Sequence, residues 1–326
     1  MTTALSCSPA KERPDIESTV VWLGRVQLEE PPGVLNVGPI LSPDPNRGVL
    51  VVDARESQVR SYADDGKLLL RLGRSGGGPG EFSGPPLAGA RLHDGRLVVS
   101  DATGSLHVFD STGAFVSKHR IATAPVMRLL PFGDVVILAT QRRIGGGVML
   151  LHSWRVGSDS LSSSFFPAPS VVRGSPALVA SSGWANADVR GDTIFATFSM
   201  CDTLYLFSKD GRHLGKRPLN LPYFKYHRTD PPTSASSPAE LNAWMGDASR
   251  VERPYVAQHG TLLVQYFRLG KPGPTWMLGI RSAANSVILD AEGTPQLLGV
   301  RGDGALLFAD TTGSPSSWRI ANLERR

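Results

Sequence analysis

The 326-residue sequence holds only two cysteines, Cys7 and Cys201. So few, and so far apart, they form neither a zinc cluster nor a redox motif. Cys201 therefore reads as a buried free thiol. No apolar run approaches the ~20 residues that cross a bilayer as a helix. Charged residues make up 19% of the chain, below the usual share of about a quarter. The net charge of +5 is thinly spread. The densest basic runs, Gln141-Arg142-Arg143 and Arg325-Arg326, are short. Nucleic-acid binding needs a basic stripe, so no such partner is expected. Catalytic signatures are missing as well. The one G-x-S-x-G string, Gly73-Arg74-Ser75-Gly76-Gly77, lies in a glycine-rich run with no helix pattern after it, so it does not read as a nucleophile elbow. None of the seven histidines stands in H-x-x-x-H or H-E-x-x-H spacing. His107 and His152 fall inside strands of different repeats, where a ring could bring them to a common axis. No calcium loop of the EF-hand type is present. No catalytic residue, metal ligand or cofactor is expected.

Glycine and proline are plentiful instead, at 35 and 25 residues. They punctuate many short apolar runs, which suits an all-β chain of strands and turns. Three segments match at fixed spacing: Val59-x-x-Tyr62-x-x-x-Gly66, Leu106-x-x-Phe109-x-x-x-Gly113 and Leu204-x-x-Phe207-x-x-x-Gly211. The interval from Gly66 to Gly113 is about half that from Gly113 to Gly211. A degenerate copy belongs between the last two, and 150–157 fills the place. Each copy reads as a strand ending near an aromatic, a turn such as Ala63-Asp64-Asp65-Gly66, and a return strand. Glycine supplies the positive φ at the turn.

A further strand precedes each hairpin: 48–53, 95–101, 192–197 and 304–310. These runs are apolar at nearly every position, so both faces are buried. A sheet stacked between two neighbours meets that demand. Short antiparallel sheets of about 40–50 residues, set radially, form a propeller. The turn glycines 66, 113, 157, 211 and 293 count five blades. A sixth contains 306–309 and 318–323 but lacks a closing strand, and 20–28 is an unpaired strand at the other end. The expectation is an all-β six-bladed β-propeller over 20–326, its ring closed by pairing of N- and C-terminal strands. An open ring would expose two sheet edges.

The stretch Leu72-Gly73-Arg74-Ser75-Gly76-Gly77-Gly78-Pro79-Gly80-Glu81-Phe82 resembles the inter-blade linker G-x-G-x-x-x-G-E-F of NHL-repeat propellers and of a bacterial six-bladed family. The runs 97–101 and 106–113 continue that pattern. The resemblance implies fold and is almost silent on function, and related bacterial chains look secreted or lipid-anchored. The chain also resembles an accessory extracytoplasmic propeller subunit of a bacterial photosynthetic reaction centre and light-harvesting complex. As a phosphate loop the glycine run fails, because no Lys-Ser or Lys-Thr follows it. Glu81 and Phe82 are expected to pin the linker. Asp53 and Asp101, at strand ends, read as turn caps.

Ala4-Leu5-Ser6-Cys7 resembles the end of a bacterial lipoprotein signal, and a polar tether follows it. This implies a 1–19 tether, lipidation at Cys7 and a periplasmic or extracytoplasmic, membrane-anchored protein.

The most informative irregularity is an insertion over 221–250, between blades four and five. Tyr223, Phe224, Lys225, Tyr226 and Arg228 mix aromatic with basic character. Ser237-Pro238-Ala239-Glu240 reads as a helix start with a capping box. Leu241, Trp244 and Met245 then share one face. Long loops are more often functional than regular connections, and aromatic and Arg side chains anchor interfaces. Tyr223, Phe224, Lys225, Tyr226, Arg228 and Trp244 are therefore the candidate partner-binding residues. The competing account is a helix that lids one end of the channel with Trp244 packed inward. The expected function is a non-catalytic binding or scaffold protein, an accessory subunit of a larger membrane-associated and photosynthetic complex. The alternative is a propeller hydrolase or small-molecule-binding enzyme with its site at one channel mouth.

Overall fold

The computed structural model describes residues 18–29, 40–44, 48–121, 124–169, 185–221, 223–227, 237–246, 248–257, 261–269, 274–281, 287–290, 294–301, 303–310 and 317–325. Cys7 and Arg228 lie outside them, as does most of the 1–19 tether.

Six four-stranded antiparallel sheets form the blades. The first strand, β1 (Ser18–Gln27), belongs to the last of them. Blade one comprises β2 (Ile40–Asp44), β3 (Gly48–Asp53), β4 (Gln58–Tyr62) and β5 (Leu68–Leu72). Blade two holds β6 (Pro86–Arg91), β7 (Leu97–Asp101), β8 (Ser105–Phe109) and β9 (Phe115–Arg120). Blade three holds β10 (Arg128–Phe132), β11 (Val135–Ile144), β12 (Gly147–Arg155) and β13 (Ser163–Pro167). Blade four holds β14 (Ala185–Arg190), β15 (Thr193–Phe198), β16 (Thr203–Ser208) and β17 (His213–Pro218). Blade five holds β18 (Ser249–Val256), β19 (Leu262–Arg268), β20 (Thr275–Arg281) and β21 (Val287–Asp290). Blade six holds β22 (Leu297–Val300), β23 (Leu306–Ala309) and β24 (Ser317–Arg325), with β1 as its outer strand. Ring closure thus joins the first strand to the last, from Ser18↔Arg325 to Gln27↔Ser317. Leu23 is the extra residue of a bulge there and stands exposed.

The physical reason for the apolar second strands is visible in the packing. Successive side chains of a strand point to opposite faces. Leu50 and Val52 of β3 join Leu97, Val99 and Phe109 of blade two. Val49 and Val51 of the same strand join Leu307 and Trp318 of blade six. In β7, Val98 turns the other way, to Val136, Leu138 and Trp154 of blade three. Further clusters fill the joints between blades three and four, four and five, and five and six. Each joint of the ring therefore has its own apolar filling. Outer strands face solvent on one side, and β9 alternates between half-buried and exposed at each residue.

Four of the five expected turn glycines sit between the last two strands of a blade at positive φ: +89° at Gly66, +93° at Gly113, +88° at Gly157 and +87° at Gly211. Gly293 follows β21 in the sequence and lies outside the described residues. The glycine-rich linker is pinned as its residues suggest. Phe82 is buried, edge-on to His107 and Phe109. A Cβ on Gly73 would stand 2.0 Å from the Phe82 ring. Glu81 accepts hydrogen bonds from the Arg74 guanidinium and the Gly78 amide.

One sequence reading needs correction. Cys201 is fully buried but is disulfide-bonded rather than a free thiol. The only other cysteine in the sequence is Cys7.

Candidate functional site

The insertion runs from the end of β17 to the start of β18 and carries α1 (Pro238–Gly246). Its capping box forms as expected: the Ser237 amide donates to Glu240 Oε2, and the Glu240 amide donates to Ser237 Oγ. Trp244 is buried among Met200, Cys201 and Ala168, and Met245 packs against the same cluster. The His227 ring stacks on Trp244, with centroids 3.6 Å apart. Phe224 is buried with Leu204, Val264 and Tyr266 at the joint between blades four and five. Tyr226 donates its hydroxyl proton to Asp202, which also accepts from the Leu221 amide. Lys225 is held through its backbone, exchanging hydrogen bonds with Ser249. The aromatic set therefore divides. Phe224, Tyr226 and Trp244 pack inward, in line with the lid account. Tyr223 turns out to solvent, 56% exposed, with a left-handed φ of +54°. The side chain of Leu241 lies outside the described residues, and Arg228 does so entirely.

His107 and His152 are not brought together. His107 is enclosed in blade two, its Nε2 3.0 Å from Asp101 Oδ2. His152 is enclosed in blade three, between the Ser164 hydroxyl and the Thr140 carbonyl. Burial first of all depresses its pKa to about 4, because a charged imidazole loses its water there. Asp53 and Asp101 cap turns as expected, accepting from the amides of Arg55, Glu56 and Thr103. Burial would raise the Asp101 pKa. Hydrogen bonds from His107, Thr103 and Ser105 outweigh it and hold the carboxyl at about 2.

A second candidate site lies on the innermost strands, which carry no matched repeat. Where β6, β10, β14, β18 and β22 end, the channel opens into a cavity of about 590 Å³. Arg91, Arg190, Lys209, Arg253 and Arg301 line it, opposed by Asp188 and Asp192. Just inside, Arg128 donates to Asn186 Oδ1 and to Glu252 Oε1, both at 3.0 Å. Asp188 accepts the Val256 amide at 2.7 Å, and Arg253 stands 3.8 Å from its other oxygen. Burial raises the Asp188 pKa, against the pull of Arg253. Burial, followed by repulsion from Arg253, lowers that of Arg128. Sequence inspection missed these residues. The available signal was the concentration of charge at Arg250, Glu252 and Arg253 among the apolar residues Val251, Pro254, Tyr255 and Val256.

The sequence matches no protein-family model and no curated protein. The fold resembles that of a member of the DUF4221 family from Bacteroides vulgatus, at 10% identity and a TM-score of 0.67, covering 95% of this chain and 99% of that one. It also resembles a "Putative exported protein" from Bacteroides fragilis, at 13% identity and a TM-score of 0.59, covering 97% and 98%. A chain of a mitotic checkpoint complex is similar at 12% identity and a TM-score of 0.52, covering 99% and 98%. At such identities the likeness is one of fold alone.

Proposed function

We propose that this propeller is a non-catalytic binding or scaffold protein that works outside the cytoplasm and holds a protein partner at its blade-four/five insertion. The observation that carries the reading is Tyr223. A bulky side chain at positive φ is strained, yet here it is held outward between buried Leu221 and Phe224. The buried residues on either side fix where the ring is presented, and a tyrosine has only two χ angles to order on contact. Lys225 beside it favours an acidic or polar partner surface. The extracytoplasmic location draws support from the disulfide at Cys201, since such bonds persist in oxidising compartments. The exported protein of Bacteroides fragilis that shares the fold points the same way.

Membrane attachment through Cys7 is the finer form of this proposal. Within one chain, Cys7 is also the only sulfur available to Cys201. One sulfur cannot hold both a disulfide and a lipid thioether, so the intact mass under non-reducing conditions decides between them. The photosynthetic complex as partner rests on resemblance only.

The test is purification of the tagged protein from its native envelope in mild detergent. The wild type should retain a stoichiometric partner. Tyr223→Ser should lose it with an unchanged melting temperature. Bacteriochlorophyll absorbance in the wild-type fraction would identify a reaction-centre partner. Full retention by Tyr223→Ser would reject the insertion as the contact.

A further inference from the structure

We infer that the channel mouth where the inner strands end binds a small, multiply charged anion, a carboxylate or phosphate ester, clamped by Arg253 and Arg190. The cavity of about 590 Å³ falls within the ~300–1,000 Å³ range of small-ligand sites. It is concave and enclosed by the ring, so it suits a small molecule and not a folded partner. It also stands apart from the insertion. The insertion enters at the start of β18, whereas the cavity forms where that strand ends. Ser249, where the insertion ends, and Arg253, the first residue of β18 in the cavity wall, are about 13 Å apart along the strand.

The charge balance selects an anion. Five cationic side chains face two carboxylates. Three of the cations are committed elsewhere. Arg91 donates to the Gly95 carbonyl and the Ser61 hydroxyl, Lys209 pairs with Asp134, and Arg301 pairs with Asp64 and Asp303. Arg190 and Arg253 differ. Arg190 is exposed at the rim and donates one 3.3 Å bond to the Val256 carbonyl. Arg253 stands 3.8 Å from Asp188, and its Nε is buried with no hydrogen-bond partner among the described residues. The Tyr255 ring, 4.9 Å away, backs its guanidinium.

Folding does not demand this arrangement. Replacing buried ionic groups with apolar ones is often neutral or stabilising, and each blade joint of this ring already has an apolar cluster of its own. Arg128 and Arg253 instead sit close enough for each to raise the cost of the other's charge. An arriving anion relieves that repulsion and meets a planar fork suited to two-point contact. Asp188 is the built-in competitor for Arg253.

Isothermal titration with citrate, inorganic phosphate, glucose 6-phosphate and, as the neutral control, glucose tests this on the full chain. Citrate alone binding would indicate carboxylates, and the two phosphates alone would indicate phosphate esters. At least one anion should bind one-to-one, weaken with added salt and exceed glucose. Arg190→Gln and Arg253→Gln should each weaken binding by about tenfold or more, the loss of one charge-assisted contact. Asp188→Asn keeps the acceptor for the Val256 amide and removes the competing charge, so it should tighten binding. Lys118→Gln, on the outer strand β9, should change nothing. If Arg253→Gln fails to fold, Arg190→Gln decides. No anion binding above the glucose control overturns the assignment. So does binding that both arginine variants retain, or that Asp188→Asn weakens.

Discussion

His152 shows how one side chain carries both a fold and a condition on it. Its neutral ring has Nε2 toward the Thr140 carbonyl and Nδ1 toward the Ser164 hydroxyl. Nε2 must donate and Nδ1 accept, which sets the tautomer. Burial lowers its pKa from 6.5 to about 4. As pH falls through 6.5, the unfolded chain takes up a proton that the folded chain refuses. Stability is therefore lost between about 6.5 and about 4, on the order of 3 kcal/mol in all. His152→Gln should remove that part of the acid sensitivity. Urea unfolding of both proteins at several pH values in this window checks it, and parallel pH curves would refute it. Residue identity alone was enough to read Asp53 and Asp101 as turn caps, because such bonds reach only two or three residues along the chain. It was not enough for Cys201, whose state depends on a sulfur distant in sequence.

At the scale of elements, the second and third strands of blades one, two, four and six were legible, as was the third strand of blade three, whereas the first strands and all of blade five were not. Strands β3, β7 and β8 are wedged between neighbouring sheets and must be apolar on both faces. That demand repeats in every blade, so it leaves a repeat in the sequence. An innermost strand meets the channel instead, where each blade supplies a different group. Asn186 and Asp188 on β14 and Glu252 and Arg253 on β18 answer to partners on other blades, not to a repeat. The candidate cavity was hidden for that reason. The insertion was half legible. Its capping box and helix follow from local chemistry, while the inward turn of Phe224, Tyr226 and Trp244 depends on what the blades present. Trp244→Ala should cost about 3–5 kcal/mol, as large-to-small changes at buried aromatics do. Denaturant unfolding measures it, and a loss below about 1 kcal/mol would show that α1 adds little to the propeller.

For the whole molecule, closure is the decisive feature. The ring's last joint, between blades six and one, is filled by Val49, Val51, Tyr62, Leu307 and Trp318. Its last sheet is completed by β1, drawn from the other end of the chain. Deleting residues 1–30 should bare the edge of β24, an open template for pairing with other chains. Loss of a cooperative melting transition, or aggregation on light scattering, is the expected result. A normal transition after the deletion would count against closure by this strand. The sequence by itself determined the all-β class, the number of blades, the turns and the pairing of the termini. Each of these follows from short-range patterns of apolar and turn residues, repeated until they can be counted. Only the tertiary structure decided which aromatics of the insertion face outward and which charges meet in the channel. Those outcomes depend on contacts between residues far apart in the chain, and no local pattern encodes a distance across the ring.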